Sequence, residues 1–179
     1  MSTSLSPDLV ARILPLKLMA FDVDGILTDG RLYYSDSGSE LKSFHTRDGQ
    51  GMRLLREAGL KIALITARRS DLVERRARDL GVHFCLQGIE AKRQAFGEVL
   101  DELKLGPEQA GYMGDDLLDL PVLSHAGFAA TVPSATGEVK AQCHYVSTLP
   151  GGDGAVREVC ELILRGQGSY ARLVAEYLK

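Results

Sequence analysis

Cysteine is scarce in this chain. Its 179 residues include only Cys85, Cys143 and Cys160. They form no Cys-x-x-Cys pair, and no histidine stands at a matching zinc-site spacing. An odd and dispersed set of this kind does not build a disulfide framework or a zinc centre. We therefore expect three reduced thiols in the core.

Net charge is also small. The chain has 21 basic and 24 acidic residues, which gives a formal charge of -3. A mildly acidic protein has no global field to hold nucleic acid or an anionic membrane. We therefore expect neither nucleic acid nor a membrane as a partner. A small-molecule substrate is favoured, and an anionic substrate must be bound by charged or polar groups close to it.

Long hydrophobic runs are missing as well. The amino-terminal segment 1–5 has no basic residue, and Asp8, Arg12, Pro15 and Lys17 interrupt the apolar stretch that follows. This pattern fits neither a signal peptide nor a membrane-spanning helix. The sequence therefore predicts a cytoplasmic protein.

The remaining composition is that of a soluble globular protein, with 45% hydrophobic and 25% charged residues. We expect a single domain over residues 1–179, because this length suits one compact core. Within it we expect an N-terminal appendage at 1–16, a β-hairpin flap at 31–45 and a C-terminal tail at 166–179.

Short apolar runs alternate with amphipathic stretches after Lys17. The apolar runs predict strands at 18–21, 62–65, 84–86, 111–113 and 128–132, and the amphipathic stretches predict helices at 52–58, 71–80, 93–103, 117–125 and 155–164. Continuously apolar strands are typical of a parallel sheet covered on both faces. The sequence therefore predicts an α/β fold with a three-layer, doubly wound parallel sheet.

Acidic residues follow the first predicted strand. Asp22-Val23-Asp24-Gly25 stands directly after the apolar run 18–21. Such a motif occurs by chance and can be a polar turn, so alone it is only suggestive. At the carboxyl end of a parallel strand, however, two carboxylates would lie at the crevice where α/β sheets bind ligands.

Three further signals follow other strands. Thr66 ends one apolar run, Lys92 stands near the start of the next helix, and Asp115 lies in Gly114-Asp115-Asp116-Leu117-Leu118-Asp119. Each alone suits a helix cap or a surface charge. Together, parallel strands would bring them to one rim, where Asp22 and Asp115 offer oxygen ligands for Mg²⁺. Thr66 and Lys92 would then cradle a phosphate.

In this order, these motifs resemble those of the haloacid dehalogenase superfamily of phosphatases. The resemblance implies a capless Rossmann-like domain with Asp22 as nucleophile, Asp24 as general acid and base, and Thr66 and Lys92 on the phosphate. It implies Mg²⁺ held by Asp22, Asp115 and the Asp24 backbone carbonyl, with Asp116 and Asp119 orienting the lysine and the metal's water ligands. Many relatives have Thr-Gly-Arg where this chain has Thr66-Ala67-Arg68, so this turn must use an ordinary backbone conformation.

Three segments narrow the resemblance to phosphatases of 3-deoxy-D-manno-octulosonate 8-phosphate, which act in lipopolysaccharide sugar synthesis. They are the segment 45–53, with the sequence His-Thr-Arg-Asp-Gly-Gln-Gly-Met-Arg, the segment 114–122 and the segment 151–164. The resemblance implies a homotetramer and a sugar-acid site at His45, Thr46, Arg47, Asp48, Gly49, Arg53, Arg68 and Arg76. Arginine suits that role because its planar fork pairs with a carboxylate.

Alternatives remain open at this point. The arginines could form a solvated face, the flap could be an ordinary surface hairpin, and the tail could be disordered. A phospho-accepting receiver domain also uses aspartates, Mg²⁺, threonine and lysine, but in another chain order. A nine-carbon sialic or ulosonic acid 9-phosphate is an alternative substrate, because pocket depth is not visible in a sequence.

Overall fold

A six-stranded parallel sheet forms the centre of the protein in the computed structural model, which describes residues 5–179. Its strands are β1 (Leu18–Phe21), β4 (Lys61–Thr66), β5 (Phe84–Gln87), β6 (Ala110–Met113), β7 (Phe128–Thr131) and β8 (Tyr145–Val146), in the order β5-β4-β1-β6-β7-β8. Two further strands, β2 (Tyr33–Tyr34) and β3 (Glu40–Leu41), form a separate antiparallel pair. The predicted α/β parallel sheet is confirmed.

Burial explains why the central strands are apolar throughout. Every residue of β1, β6 and β7 is buried, so neither face of these strands meets water. The chain runs from β1 to one side of the sheet and then crosses to the other, which leaves β4 and β6 on either side of β1. Ligands bind at such a switch point in open α/β sheets, at the carboxyl ends of the strands.

Helices flank the sheet. They are α1 (Pro7–Ile13), α2 (Thr46–Glu57), α3 (Asp71–Leu80), α4 (Lys92–Leu103), α5 (Leu120–Leu123), α6 (Gly137–Gln142), α7 (Ala155–Gly166) and α8 (Tyr170–Glu176). α7 packs against α1, α2 and α8, whereas α5 packs against α4 and α6. None of the helices formed by residues 5–179 has the length and apolar character of a bilayer-spanning segment.

Several elements differ from their predicted bounds. The predicted helix 117–125 is a 3-10 turn, Leu117–Asp119, followed by the short helix α5. The paired strands of the hairpin have only two residues each. The chain after Gly166 forms α8, which the sequence did not predict. The first four residues of the predicted appendage lie outside the described part of the chain, and α1 occupies most of the rest.

Helix α2 begins at Thr46, six residues before the predicted start. The Nδ1 atom of His45 accepts a hydrogen bond from the Arg47 backbone N–H at 3.2 Å and so caps the helix. Glycines at 49 and 51 weaken the helical pattern in the sequence, and packing against α7 compensates. The residues 45–49, predicted to bind the sugar acid, therefore form the N-cap and the first turn of a helix.

A buried carboxylate joins α2 to α7. Asp48 is 1% exposed, and its oxygens accept hydrogen bonds from the backbone N–H groups of Gly154 at 3.3 Å and Arg157 at 2.8 Å. Negative charge at this helix start complements the helix dipole. Asp48 was predicted to bind substrate, but in the structure its side chain caps α7.

The carboxyl-terminal third also closes over the loop after β1. The Gly152 backbone N–H donates to the Ile26 carbonyl oxygen at 2.9 Å. A Cβ atom at Gly151 would lie 1.8 Å from the carbonyl oxygen of Gly25, so only glycine allows this approach. This contact fixes the loop that carries the first aspartate motif.

Replacing Asp48 by alanine is expected to lower the free energy of unfolding by about 1–3 kcal/mol, because one buried and one partly buried N–H group lose their acceptor. Urea unfolding of the purified protein measures the loss. Asp101→Ala is the matched control, since Asp101 is an exposed carboxylate at the end of α4. Equal stability of the two variants would contradict the capping role of Asp48.

Candidate active site

One cavity of about 290 Å³ gathers the residues predicted at the strand ends. Asp22 follows β1, Thr66 ends β4, Asp115 follows β6 and Lys92 begins α4. The cavity is lined by these four residues and by Asp24, Gly30, Ala67, Arg68, Asp116 and Leu118. Parallel pairing of β1 with β4 and β6 aligns their ends, so the sheet itself brings these groups together.

Lys92 is a buried cation held by two carboxylates. Its side chain is 3% exposed, and Nζ lies 2.9 Å from Asp22 Oδ1 and 2.7 Å from Asp119 Oδ1. A buried charge needs close partners of opposite sign. The two carboxylates therefore hold a lysine at a helix start, where the dipole alone disfavours it.

Asp119 organises the floor of the site. It is completely buried and accepts hydrogen bonds from the Tyr112 hydroxyl at 2.7 Å and from the backbone N–H groups of Asp115 at 3.0 Å and Asp116 at 3.1 Å. Its oxygens are thus fully used within the protein. Sequence reasoning missed Tyr112; the only signal was one hydroxyl within a buried apolar strand.

Asp22 and Asp115 have the capacity to bind a divalent cation. Oxygens of Asp22, Asp115 and Asp119 lie within 4.8 Å of one another. Asp115 Oδ1 is buried without a hydrogen-bond partner, whereas Asp119 is committed to Lys92 and Tyr112. A hard cation such as Mg²⁺ binds through one or two carboxylates of this kind. The donor set therefore fits magnesium.

Both of these carboxyl groups have a pKa above the ordinary range of an aspartate. Burial, and next the Asp119 carboxylate, raise the pKa of Asp22 from 3.8 to about 7, although Lys92 opposes the shift. Burial, followed by Asp119 and Asp116, raises the pKa of Asp115 to about 6. Crowded negative charge of this kind favours a bound cation.

Asp24 lies at the mouth of the cavity with its side chain 21% exposed. Lys42 Nζ, from the hairpin, contacts its Oδ1 atom, and Arg68 Nε lies 3.9 Å from its Oδ2 atom. The Thr66 hydroxyl oxygen accepts a hydrogen bond from the Arg68 backbone N–H at 3.3 Å. Lys42 was not predicted, because its position depends on how the hairpin folds back.

Gly25 permits a close approach to Asp115, whereas Ala67 needs no special backbone conformation. Gly25 has φ of +93°, and a Cβ atom there would lie 2.1 Å from Asp115 Oδ2. Among residues 5–179, Lys104 is the only non-glycine residue with positive φ, so Ala67 has an ordinary backbone conformation as expected.

The predicted sugar-acid residues divide between two cavities. Arg68 lines the cavity at the strand ends. Thr46, Gly49, Arg53 and Arg76 line another, of about 280 Å³, which shares no lining residue with the first. In that second cavity, the Arg76 guanidinium donates to the His45 carbonyl oxygen at 3.2 Å.

The remaining predicted residues are placed differently. Arg47 is exposed. The His45 imidazole Nε2 lies 3.7 Å from Asp153 Oδ1, beside the loop that precedes α7. Asp116 is exposed, and its side chain accepts from the Leu117 backbone N–H at 2.7 Å, so it caps the 3-10 turn.

Known proteins share both the sequence and the fold. A family model for haloacid dehalogenase-like hydrolases matches residues 87–158. The 3-deoxy-D-manno-octulosonate 8-phosphate phosphatase KdsC of Yersinia pestis is 43% identical over 160 residues, which are 89% of this chain and 86% of that protein. The chain belongs to this phosphatase family. The family resemblance predicted from the motifs is thereby confirmed.

Solved structures of similar proteins superpose over nearly the whole chain. A probable YrbI family phosphatase from Pseudomonas syringae pv. phaseolica is 46% identical with a TM-score of 0.95, covering 97% of this chain and 99% of that one. The 3-deoxy-D-manno-octulosonate 8-phosphate phosphatase of Moraxella catarrhalis, solved with magnesium, phosphate and KDO, is 39% identical with a TM-score of 0.94 and the same coverage.

Magnesium binding is expected to depend on pH, because the cation competes with protons on Asp22 and Asp115. Affinity measured by titration calorimetry should rise roughly tenfold or more between pH 5.5 and 7.5, across pKa values of about 7 and about 6. Equal affinity at both pH values would contradict this account of the site.

The same two carboxyl groups make the free energy of unfolding depend on pH when a chelator removes divalent cations. Both pKa values are raised on folding, so the folded state binds more protons than the unfolded state between pH 4 and 7. Stability is therefore lost as pH rises through this window. Thermal unfolding in chelator should show a lower Tm at pH 7.5 than at pH 5.5, and Asp22→Asn should reduce the difference.

Proposed function

We propose that this chain is a magnesium-dependent phosphatase that hydrolyses 3-deoxy-D-manno-octulosonate 8-phosphate to the free sugar acid and phosphate. The observation that carries the proposal is the cluster of Asp22, Lys92 and Asp115 at the carboxyl ends of the strands. The relatives of known name, similar over most of their length, support the same substrate. The product would serve lipopolysaccharide sugar synthesis, as the family resemblance implies.

Charge neutralisation is the first requirement of the reaction, because a phosphate dianion repels an anionic nucleophile. Lys92 supplies one positive charge, and Thr66 supplies a hydroxyl that donates to a phosphate oxygen. Magnesium, held by Asp22, Asp115 and the Asp24 backbone carbonyl, supplies further positive charge when bound. Asp119 keeps Lys92 directed toward the phosphate.

Asp22 then acts as the nucleophile. A carboxylate oxygen forms a bond to phosphorus while the bond from phosphorus to the sugar oxygen breaks, which leaves an aspartyl-phosphate. Asp24 donates its proton to the departing sugar oxygen and afterwards accepts a proton from the water that attacks the phosphorus atom. The bond from phosphorus to the Asp22 oxygen breaks in this second step, so phosphate leaves and the Asp22 carboxylate is restored.

A second copy of the chain completes the sugar-acid site in this proposal. The second cavity, lined by Thr46, Arg53 and Arg76, is separate from the strand ends. In this proposal the second cavity of one subunit therefore faces the substrate bound at the strand ends of another. The hairpin carries the exposed side chains of Tyr34 and Leu41, which suit contact between subunits. We propose a homotetramer on this basis, with the arginines pairing with the sugar-acid carboxylate.

Three further predictions concern Asp48, the location of the protein and the alternative functions. Asp48 is used in capping α7, so we assign it no contact with substrate. A cytoplasmic location fits the three cysteines, which are all free. The relatives are phosphatases with an eight-carbon sugar acid in their names, which disfavours both the receiver domain and the nine-carbon substrate.

Asp22→Asn is expected to lower turnover of the sugar-acid phosphate on the order of a thousandfold or more, because an amide cannot form the covalent intermediate. Phosphate release with and without chelator measures the effect across a panel of eight- and nine-carbon substrates. Asp101→Ala is the control variant. Full activity of the asparagine variant would exclude Asp22 as the nucleophile.

Arg76→Ala is expected to raise KM for the sugar-acid phosphate roughly tenfold or more, because a bidentate pair with the carboxylate is lost. With p-nitrophenyl phosphate, which has no carboxylate, KM should stay unchanged. The exposed Arg75 next to it provides the control variant Arg75→Ala. An equal rise for both substrates would contradict the proposed role.

A further inference from the structure

A closed ring of four charged side chains joins the hairpin to the active site. Lys42 Nζ contacts Asp24 Oδ1 and lies 3.3 Å from Glu40 Oε1. The Nη2 atom of Arg68 lies 3.2 Å from the same Glu40 oxygen, and its Nε atom lies 3.9 Å from Asp24 Oδ2. Positive and negative groups alternate around the ring, so each charge has two partners of opposite sign.

The Lys42 side chain is buried, whereas the apolar side chains of the two hairpin strands are exposed. The side chain of Lys42 is 2% exposed, whereas Tyr34 is 63% and Leu41 is 60% exposed. A two-residue strand pair has little packing of its own, so contacts to the body of the protein must hold it in place. The ring supplies such contacts, because Lys42 of the hairpin contacts Asp24 of the protein body.

The ring also restrains the Asp24 carboxyl group, mainly through its Oδ1 atom. Lys42 contacts one oxygen and Arg68 faces the other, while the side chain keeps its 21% exposure toward the cavity mouth. A proton donor is effective only when its geometry matches the leaving atom, and a displacement of about 1 Å can cost 100-fold in rate. Orientation of Asp24 therefore depends on the seating of the hairpin.

We propose that Lys42 is a positioning residue that holds Asp24 in the orientation in which it delivers a proton to the departing sugar oxygen. This inference rests on the proposed function of Asp24. The hairpin therefore has a role in the reaction. Its lysine aligns Asp24, which protonates the sugar oxygen while the aspartyl-phosphate forms. Glu40 and Arg68 keep Lys42 in place from the other side of the ring.

The chemistry of the leaving group separates this role from a general structural one. A sugar alkoxide needs a proton as it departs, whereas p-nitrophenolate is a weak base and departs without one. The ratio kcat/KM reports the steps from the free enzyme and substrate up to formation of the aspartyl-phosphate. Loss of Asp24 alignment should therefore lower kcat/KM for the sugar phosphate and spare the aryl phosphate.

The experiment compares kcat/KM for both substrates, at saturating Mg²⁺, in the native enzyme and in Lys42→Met, Lys42→Arg, Asp24→Asn and the double variant Asp24→Asn with Lys42→Met. Lys61→Met is the matched control, since Lys61 is an exposed lysine at the start of β4. We expect Lys42→Met to lose about 10- to 100-fold on the sugar phosphate and less than threefold on the aryl phosphate.

Two further results complete the expected pattern. Lys42→Arg should recover most of the loss, because it restores a cation beside Asp24. The double variant should be no slower on the sugar phosphate than Asp24→Asn alone, since Lys42 acts through Asp24. Equal losses on the two substrates, or no loss on either, would overturn the positioning role.

The asparagine variant distinguishes failure of this inference from failure of the proposed function. If Asp24→Asn shows no preference between leaving groups, Asp24 is not the proton donor and both proposals fall. If Asp24→Asn shows the preference and Lys42→Met does not, only the role of Lys42 is wrong. If Lys42→Met does not fold, Glu40→Gln tests the positioning role instead. We expect it to lower kcat/KM severalfold for the sugar phosphate and to leave kcat/KM for the aryl phosphate unchanged.

Discussion

The site depends on one buried cation shared between two carboxylates. Lys92 lies between Asp22 and Asp119, and removal of either acid would leave the buried ammonium group with a single carboxylate partner. The same pairing determines which aspartates have oxygens available for a ligand. Asp119 is consumed by Lys92, Tyr112 and two backbone groups, which leaves Asp22 and Asp115 free to meet ligands at the cavity.

Much of this arrangement could be predicted from the sequence. The apolar runs that end in Asp22 and Thr66 indicate strands buried on both faces, and parallel strands with that topology place their carboxyl ends along one rim. The grouping of Asp22, Thr66, Lys92 and Asp115 follows from this geometry. Positions at strand ends are predictable because the sheet leaves them little freedom.

Other parts depend on contacts between elements distant in the chain, and no local pattern encodes them. Asp48 has the same chemistry as a ligand-binding carboxylate, and only the arrival of α7 turns it into a helix cap. Lys42 resembles a solvated charge until the hairpin folds onto Asp24. Arg76 stands apart from Arg68 because helix α3 directs it toward α2, which no charge pattern specifies.

The contact between Gly151 and the carbonyl of Gly25 has a consequence for biosynthesis. The loop that carries Asp22 emerges from the ribosome well before Gly151 and Gly152, which brace it. Non-local contacts of this kind form only after both segments are present. A nascent chain therefore acquires the final shape of this loop only after Gly151 and Gly152 have been translated.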